Sequence, residues 1–313
     1  MERARQIVGA KWAHDRKIFG AGVGVAILDT GICTHPDFLE GGSRIAAFYD
    51  TIGHKSAPYD DGGHGTHVAG IIGGCGRMSA GRFMGIAPLC HFISVKVLDQ
   101  RGGGNIPEVL AGIDWVIQNK ERYRIRILNI SVGTPKGSRS EEDKKLLTAV
   151  DSAWDAGLVV VAAAGNNGPD SGSISIPGSS RKIITVGASD DNQIIRTPRG
   201  HTSCYSGRGP TGACILKPDI VAPGSNIISC KSLDLPSARR SGSMGYSAYY
   251  TVKSGTSMAT PVVSGALALL LSKEPNLTNK DVKLRLHDRA VDIGLPRNQQ
   301  GWGLLSIEQL LQS

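Results

Sequence analysis

Short runs of β-branched and apolar residues alternate along the chain with segments patterned as helices. That alternation limits the fold more than any other feature. Strand candidates are Val23–Leu28, His91–Leu98, Ile125–Val132, Leu158–Ala163 and Ile183–Val186. Helix candidates are His64–Ile72, Ile106–Asn119, Glu141–Asp155, Ser257–Leu271 and Asn279–Ala290. Strands this apolar are buried on both faces, and strand–helix–strand units place them in parallel with right-handed crossovers. The expectation is an α/β protein with a mostly parallel twisted sheet flanked by helices on both faces, in one domain over residues 1–313.

Composition agrees. The 313 residues are 40% hydrophobic and 20% charged, a soluble globular balance. Apolar runs such as Leu158–Ala164 and Ala266–Leu271 are too short to span a bilayer, so no membrane is expected as a partner. The net charge of +8 is scattered apart from "KERYRIR" (Lys120–Arg126) and Arg239–Arg240, which argues against a nucleic-acid partner. The first residues, "MERARQIVGA", lack the apolar core of a signal peptide. Six cysteines (33, 75, 90, 204, 214, 230) show no CxxC pairing and read as reduced thiols. The longest irregular stretches are Thr51–Gly63, Gly165–Arg181 and Ser229–Ser254, the last read as an exposed loop that proteases nick first.

Four motifs carry the chemistry. "GAGVG" (Gly20–Gly24) is not among them, because a dinucleotide fingerprint follows a strand and these glycines precede one. That sets aside a nucleotide-dependent oxidoreductase. Asp29 closes the strand "VAILD", at the sheet edge where ligands gather. "DDGGHGTHVAGIIGG" (Asp60–Gly74) opens a helix with His64 and His67, and "VVVAAAGNNG" (Val159–Gly168) ends a buried strand beside Asn166. "SGTSMATPVVSG" (Ser254–Gly265) starts a helix near Thr256 or Ser257, since Pro261 is tolerated mainly in a first turn. Singly, each residue has a plain structural use: Asp29 as a turn former, either histidine as a core residue, Ser257 as a helix cap. Together they supply an acid, a base, an amide donor and a hydroxyl in the order Asp…His…Ser, one of the orders of the serine-nucleophile triad.

With "AILDTGI", "HGTHVAG", "AAAGNNG", "SGTSMATP" and "KPDIVAPG" all in place, the chain resembles the subtilisin-like serine proteases, the subtilases. The resemblance implies a serine endopeptidase with Ser257 as nucleophile, His64 as base, Asp29 orienting the imidazole and Asn166 in the oxyanion hole. Loss of such an amide in a subtilisin costs about 10²–10³ in turnover. His67 becomes a buried structural residue. Gly102, Gly103 and Gly104 of "RGGG", with Ser131, Val132 and Gly133, would be edge strands clasping an extended peptide. Ala163, Gly165 and Asn167 would wall the pocket before the cut, and the neutral Asn167 favours apolar or aromatic side chains there. Ile176–Pro177 falls where the family has a cis peptide. Substrates would be peptides or unfolded proteins; an inactive peptide-binding module on the same fold is the alternative.

Departures from the family matter too. "TPVVSG" replaces the usual "TPHVAG", and only 28 residues precede Asp29, too few for a folding-assistant propeptide. Lys231–Pro261 is similar to the corresponding loop of the AprX-like branch, whose members are mostly intracellular. A cytoplasmic location is expected, or secretion if a leader and propeptide have been removed. No cofactor is expected. The stretch "GGCGRMSAGRFMG" (Gly73–Gly85), matching a calcium loop, has no carboxylate or amide side chain and carries Arg77 and Arg82, so no tight calcium site is expected. A weaker carbonyl-built site for calcium or sodium near Gly178–Ile183 remains open.

Overall fold

The computed structural model describes residues 1–131, 133, 141–197, 200–235 and 248–312, without the side chains of 196 and 197. Two short helices, α1 (Glu2–Ile7) and α2 (Ala10–Asp15), lead into β1 (Gly24–Asp29). Then follow β2 (Ile45–Asp50), α3 (His64–Gly73), β3 (His91–Lys96), α4 (Ile106–Asn119), β4 (Ile125–Ile130), α5 (Glu141–Asp155), β5 (Val159–Ala163) and β6 (Ile184–Ala188). The last third holds β7 (Ile195–Thr197), β8 (Gly200–Thr202), β9 (Ile220–Ala222), β10 (Ile227–Cys230), β11 (Tyr250–Lys253) and α6 (Thr256–Lys273). Helices α7 (Asn279–Arg289), α8 (Arg297–Gln300) and α9 (Ile307–Leu311) close the chain.

Seven strands form one sheet in the order β2-β3-β1-β4-β5-β6-β9, with every pair parallel. Strand β1 is buried along its whole length; β3 inserts between it and the edge strand β2 on one side, and β4, β5, β6 and β9 follow outward on the other. The carboxyl end of β1 is therefore the switch point where an open parallel sheet forms its crevice, and Asp29 sits there. Helix α6 lies across β4, β5 and β6 and packs on α3, with Met258 to Leu271 buried throughout. A helix apolar on every side belongs to the interior. No helix among the described residues is long and apolar enough to cross a membrane.

Three sequence expectations change. Helix α6 starts at Thr256, as expected, but Pro261 falls in its second turn rather than its first, where it leaves the Ser257 carbonyl without its i+4 donor. Ser229–Ser254 is not wholly a loop: β10 and β11 pair antiparallel from Ile227↔Lys253 to Cys230↔Tyr250, and the hairpin packs on α3. Arg239–Arg240 lie outside the described residues. Arg101–Gly104 forms no strand but a turn, in which the Gly102 N–H donates to the Asp99 carbonyl (3.1 Å) and Gly103 O accepts from Asp99 N–H (2.7 Å). The Ile176–Pro177 peptide is cis.

Candidate active site

Asp29, fully buried at the end of β1, accepts from Nδ1 of His64, with Oδ1 and Oδ2 at 2.7 and 2.8 Å. The Thr30 N–H donates to Asp29 Oδ1 at 2.8 Å. His64 is the first residue of α3, and Gly65 lets the helix come this close: a Cβ at 65 would collide with the Gly31 carbonyl. Burial pushes the His64 imidazolium down, but the charge of Asp29 and its hydrogen bond outweigh this and hold the pKa above 6.5. Binding Nδ1–H to a carboxylate fixes the tautomer that leaves Nε2 as a base.

His67, one turn on, is the buried structural residue expected. Its Nε2 donates to the carbonyls of Ile227 (3.1 Å) and Thr251 (3.2 Å), tying α3 to the β10–β11 hairpin. Burial keeps its pKa well below the usual imidazole value.

Ser257 is the second residue of α6 and does not cap it; Gly255 holds the cap position, with no side-chain cap. The Ser257 hydroxyl instead donates to the Ser131 carbonyl at 2.6 Å. Asn166 follows β5 and Gly165. Its Oδ1 accepts from the Thr256 N–H (2.9 Å) and hydroxyl (3.1 Å). Gly255, at φ +140°, lies where a Cβ would stand 3.1 Å from Asn166 Nδ2, so no other residue fits without strain.

His64, Ser257 and Asn166 share one cleft of about 490 Å³, with Gly102, Ser131, Gly133, Ala163, Gly165 and Asn167 on its walls. Asp29 lies behind His64. Gly104 abuts Val97 and Leu98, Gly103 faces Asp99, and neither lines the cleft. Val132 lies outside the described residues. Thr30, Leu98, Ser175 and Lys253 also line the cleft and were not singled out in the sequence. Only the closing position of "VAILDT" hinted at Thr30; Lys253 carries no local signal.

The donor sets that a metal would need are occupied. Donor atoms of His35, Asp37 and Cys230 gather within 4.8 Å of one another. The Asp37 carboxylate, however, accepts from the N–H groups of Gly76 and Met78 (both 3.2 Å), the Tyr250 hydroxyl (2.9 Å) and the Cys230 thiol. Nδ1 of His35 accepts from Asp37 N–H and Nε2 donates to the Tyr249 carbonyl. The Gly73–Gly85 loop thus meets Asp37 with N–H donors, which repel a cation. Nor does Gly178–Ile183 offer an open cage: Lys283 Nζ donates to the carbonyls of Arg181 (3.0 Å), Lys182 (2.9 Å) and Ile183 (3.0 Å), and Thr185 Oγ1 to that of Gly178 (2.6 Å). Two ammonium groups, those of Lys217 and Lys283, share the Ile183 carbonyl. The weak cation site left open by the sequence does not fit these residues.

A parallel sheet presenting an acid–base pair and a hydroxyl along one carboxyl edge is the architecture of a serine hydrolase. The chain belongs to the subtilase family, whose sequence pattern matches residues 20–303. It is 46% identical over 276 residues to the serine protease AprX of Bacillus subtilis (strain 168), an alignment covering 86% of this chain and 61% of AprX. The chain thus spans about three fifths of that relative's length. It is 37% identical over 302 residues to subtilisin Savinase of Lederbergia lenta, covering 96% and 95% of the two chains. The crystal structure of a cold adapted subtilisin-like serine proteinase superposes with a TM-score of 0.70 at 30% identity, covering 92% of this chain and 89% of that one.

Proposed function

We propose that the protein is a serine endopeptidase acting through Asp29, His64 and Ser257. The observation that carries this is the Asp29–His64 pair, held at 2.7 Å on the same cleft as a serine hydroxyl at a helix start. Ser257 Oγ attacks the scissile carbonyl carbon while its proton passes to His64 Nε2. The Asn166 amide and the Ser257 N–H, one of the unsatisfied donors at the start of α6, stabilise the oxyanion. His64 then protonates the leaving amine as the C–N bond breaks, and water repeats the sequence on the acyl-enzyme.

Substrates are peptides or unfolded proteins, laid along Ser131–Gly133. The wall of Ala163, Gly165, Asn167 and Ser175 carries no charge and favours apolar or aromatic side chains before the cut. Six free thiols, three of them buried, suit the reducing cytoplasm. No metal takes part in the chemistry proposed, and the engaged donors of Asp37 and of the 181–183 carbonyls support a protein that needs no structural calcium. The test is a fluorophosphonate probe with casein hydrolysis: label on Ser257 and cleaved casein are expected. Label elsewhere, or a protein that binds casein without cutting it, overturns the proposal in favour of the inactive binding module.

A further inference from the structure

Behind the Asp29–His64 pair lies a carboxylate that does not line the cleft. Asp60 is fully buried, where an ionised group is tolerated only with several donors around it. It has four. Its Oδ1 accepts from the Thr30 hydroxyl (2.7 Å) and the N–H groups of Gly62 (3.1 Å) and Gly63 (2.6 Å), and its Oδ2 from the Thr66 N–H (2.9 Å). Thr30 follows Asp29 in the chain and also takes the Gly65 N–H on its hydroxyl (3.0 Å). Gly62, Gly63, Gly65 and Thr66 flank His64 on both sides. The Asp60 peptide is itself fixed, its N–H by Asp234 Oδ2 (2.9 Å) and its carbonyl by the Ser232 hydroxyl (2.6 Å). Buried Lys96 holds the other side of Thr30, donating to its carbonyl at 2.7 Å.

We propose that Asp60 is a positioning residue for catalysis, which through the Thr30 hydroxyl and the N–H groups around His64 sets the geometry of the Asp29–His64 pair. The two partners come from segments 35 residues apart, and this one carboxylate joins both segments. The inference rests on His64 being the catalytic base.

Asp60→Asn tests it, because an amide nitrogen in place of one oxygen must face a donor. Misplacement of a reacting group by about 1 Å costs on the order of 10²-fold, so kcat is expected to fall by that order while KM changes little. A second readout separates positioning from mere folding. Among the described residues, the charged and titratable groups that act on His64 are Asp29 from β1, Asp60 from the preceding loop, Lys253 from β11 and His67 on its own helix. Removing the Asp60 charge takes away an anion that favours the imidazolium, so the acid limb of kcat/KM should move to lower pH. A folded Asp60→Asn, labelled stoichiometrically at Ser257, with wild-type turnover and an unmoved limb overturns the proposal. Should that variant not fold, Thr30→Val and Thr30→Ser decide. Val removes the hydroxyl and should lose turnover, Ser keeps it and should retain most, and equal turnover for the pair overturns the proposal. Wild-type protein unlabelled at Ser257 would instead sink the protease assignment itself.

Discussion

The hydroxyl of Ser257 donates to the backbone carbonyl of Ser131 across 2.6 Å, rather than to His64. Catalytic hydrogen bonds are often unmade in a free enzyme and tighten in the substrate complex. Ser131 continues from β4 at the cleft wall, where an extended peptide would add its own N–H groups. A substrate N–H taking the Ser131 carbonyl would displace the Ser257 hydroxyl and release it towards Nε2 of His64.

That displacement has a kinetic signature. Peptide substrates N-methylated at the residue before the cut lack the competing N–H. If the contact served binding alone, its loss would raise KM by roughly tenfold, the value of one ordinary hydrogen bond of about 1 kcal/mol or slightly more. Release of the nucleophile predicts instead that kcat falls as well. Steady-state kinetics on matched N–H and N-methyl peptides give the answer, and an unchanged kcat refutes the displacement.

Ser257→Ala should abolish peptide hydrolysis and leave the fold intact. The side chain caps nothing, and its one hydrogen bond goes to a carbonyl at the cleft. Residual activity should not exceed about 10³–10⁴ over the uncatalysed rate, the part owed to binding and oxyanion contacts. Wild-type-like cleavage by purified mutant, with an unchanged unfolding midpoint, would remove Ser257 from the mechanism.

The pH profile follows from His64. As the proposed base, His64 must be neutral, and Asp29 holds its pKa above 6.5 despite burial. Activity should therefore rise through a limb above pH 6.5 and stay high in mild alkali. The Lys253 ammonium disfavours the imidazolium, so Lys253→Met should move the limb to higher pH, opposite to Asp60→Asn. Salt screens part of the Lys253 effect, and the displacement should shrink at high ionic strength. A fully folded enzyme with an optimum below pH 5 contradicts the assignment.

How much of this was legible depended on where each residue's partners lie. Interior strands announced themselves: β5 is five buried residues in a row, and its apolar run leaves no other use. Helix α4 was bounded correctly, because Glu108 accepts from the Asn105 N–H and Pro107 sits in the first turn, all within four residues. Strand β2 was missed because it is a half-exposed edge strand, "IAAFYD", without a sustained apolar pattern. The β10–β11 hairpin was taken for loop because its strands are 4 residues each and pair across a Ser- and Gly-rich connection. Asp29, His64 and Ser257 were legible as candidates for one site, since motif order stood in for distance: Asp29 pairs with His64, and His64 and Ser257 line one cleft. Asp60 was not, because two acids before two glycines read as a turn until Thr30, thirty positions earlier in the chain, is seen beside Asp60.

The last prediction concerns cations. Lys283 lays its ammonium on the carbonyls of residues 181, 182 and 183 and lies 3.9 Å from Asp219. Burial lowers its pKa to about 8, against the favourable pull of Asp219, so below pH 8 the ammonium is in place. Such an internal cation leaves no vacancy for a metal ion on these carbonyls, and Asp37 is engaged by N–H, hydroxyl and thiol donors. Thermal unfolding at pH 7 should therefore be the same in excess chelator and in excess calcium. Lys283→Ala should change that. With the ammonium gone, the carbonyls of residues 181 and 182 lose its N–H donors and become ligands, while Lys217 stays on the Ile183 carbonyl, and the variant should regain stability as calcium or sodium is added. A site filled at 100 times its Kd would add about 2.7 kcal/mol, a shift of several degrees in midpoint that calorimetry resolves. A calcium-dependent midpoint in the wild type would reveal a cation site that the occupied donors argue against. A Lys283→Ala variant indifferent to both ions would show that the ammonium is not a substitute for a metal.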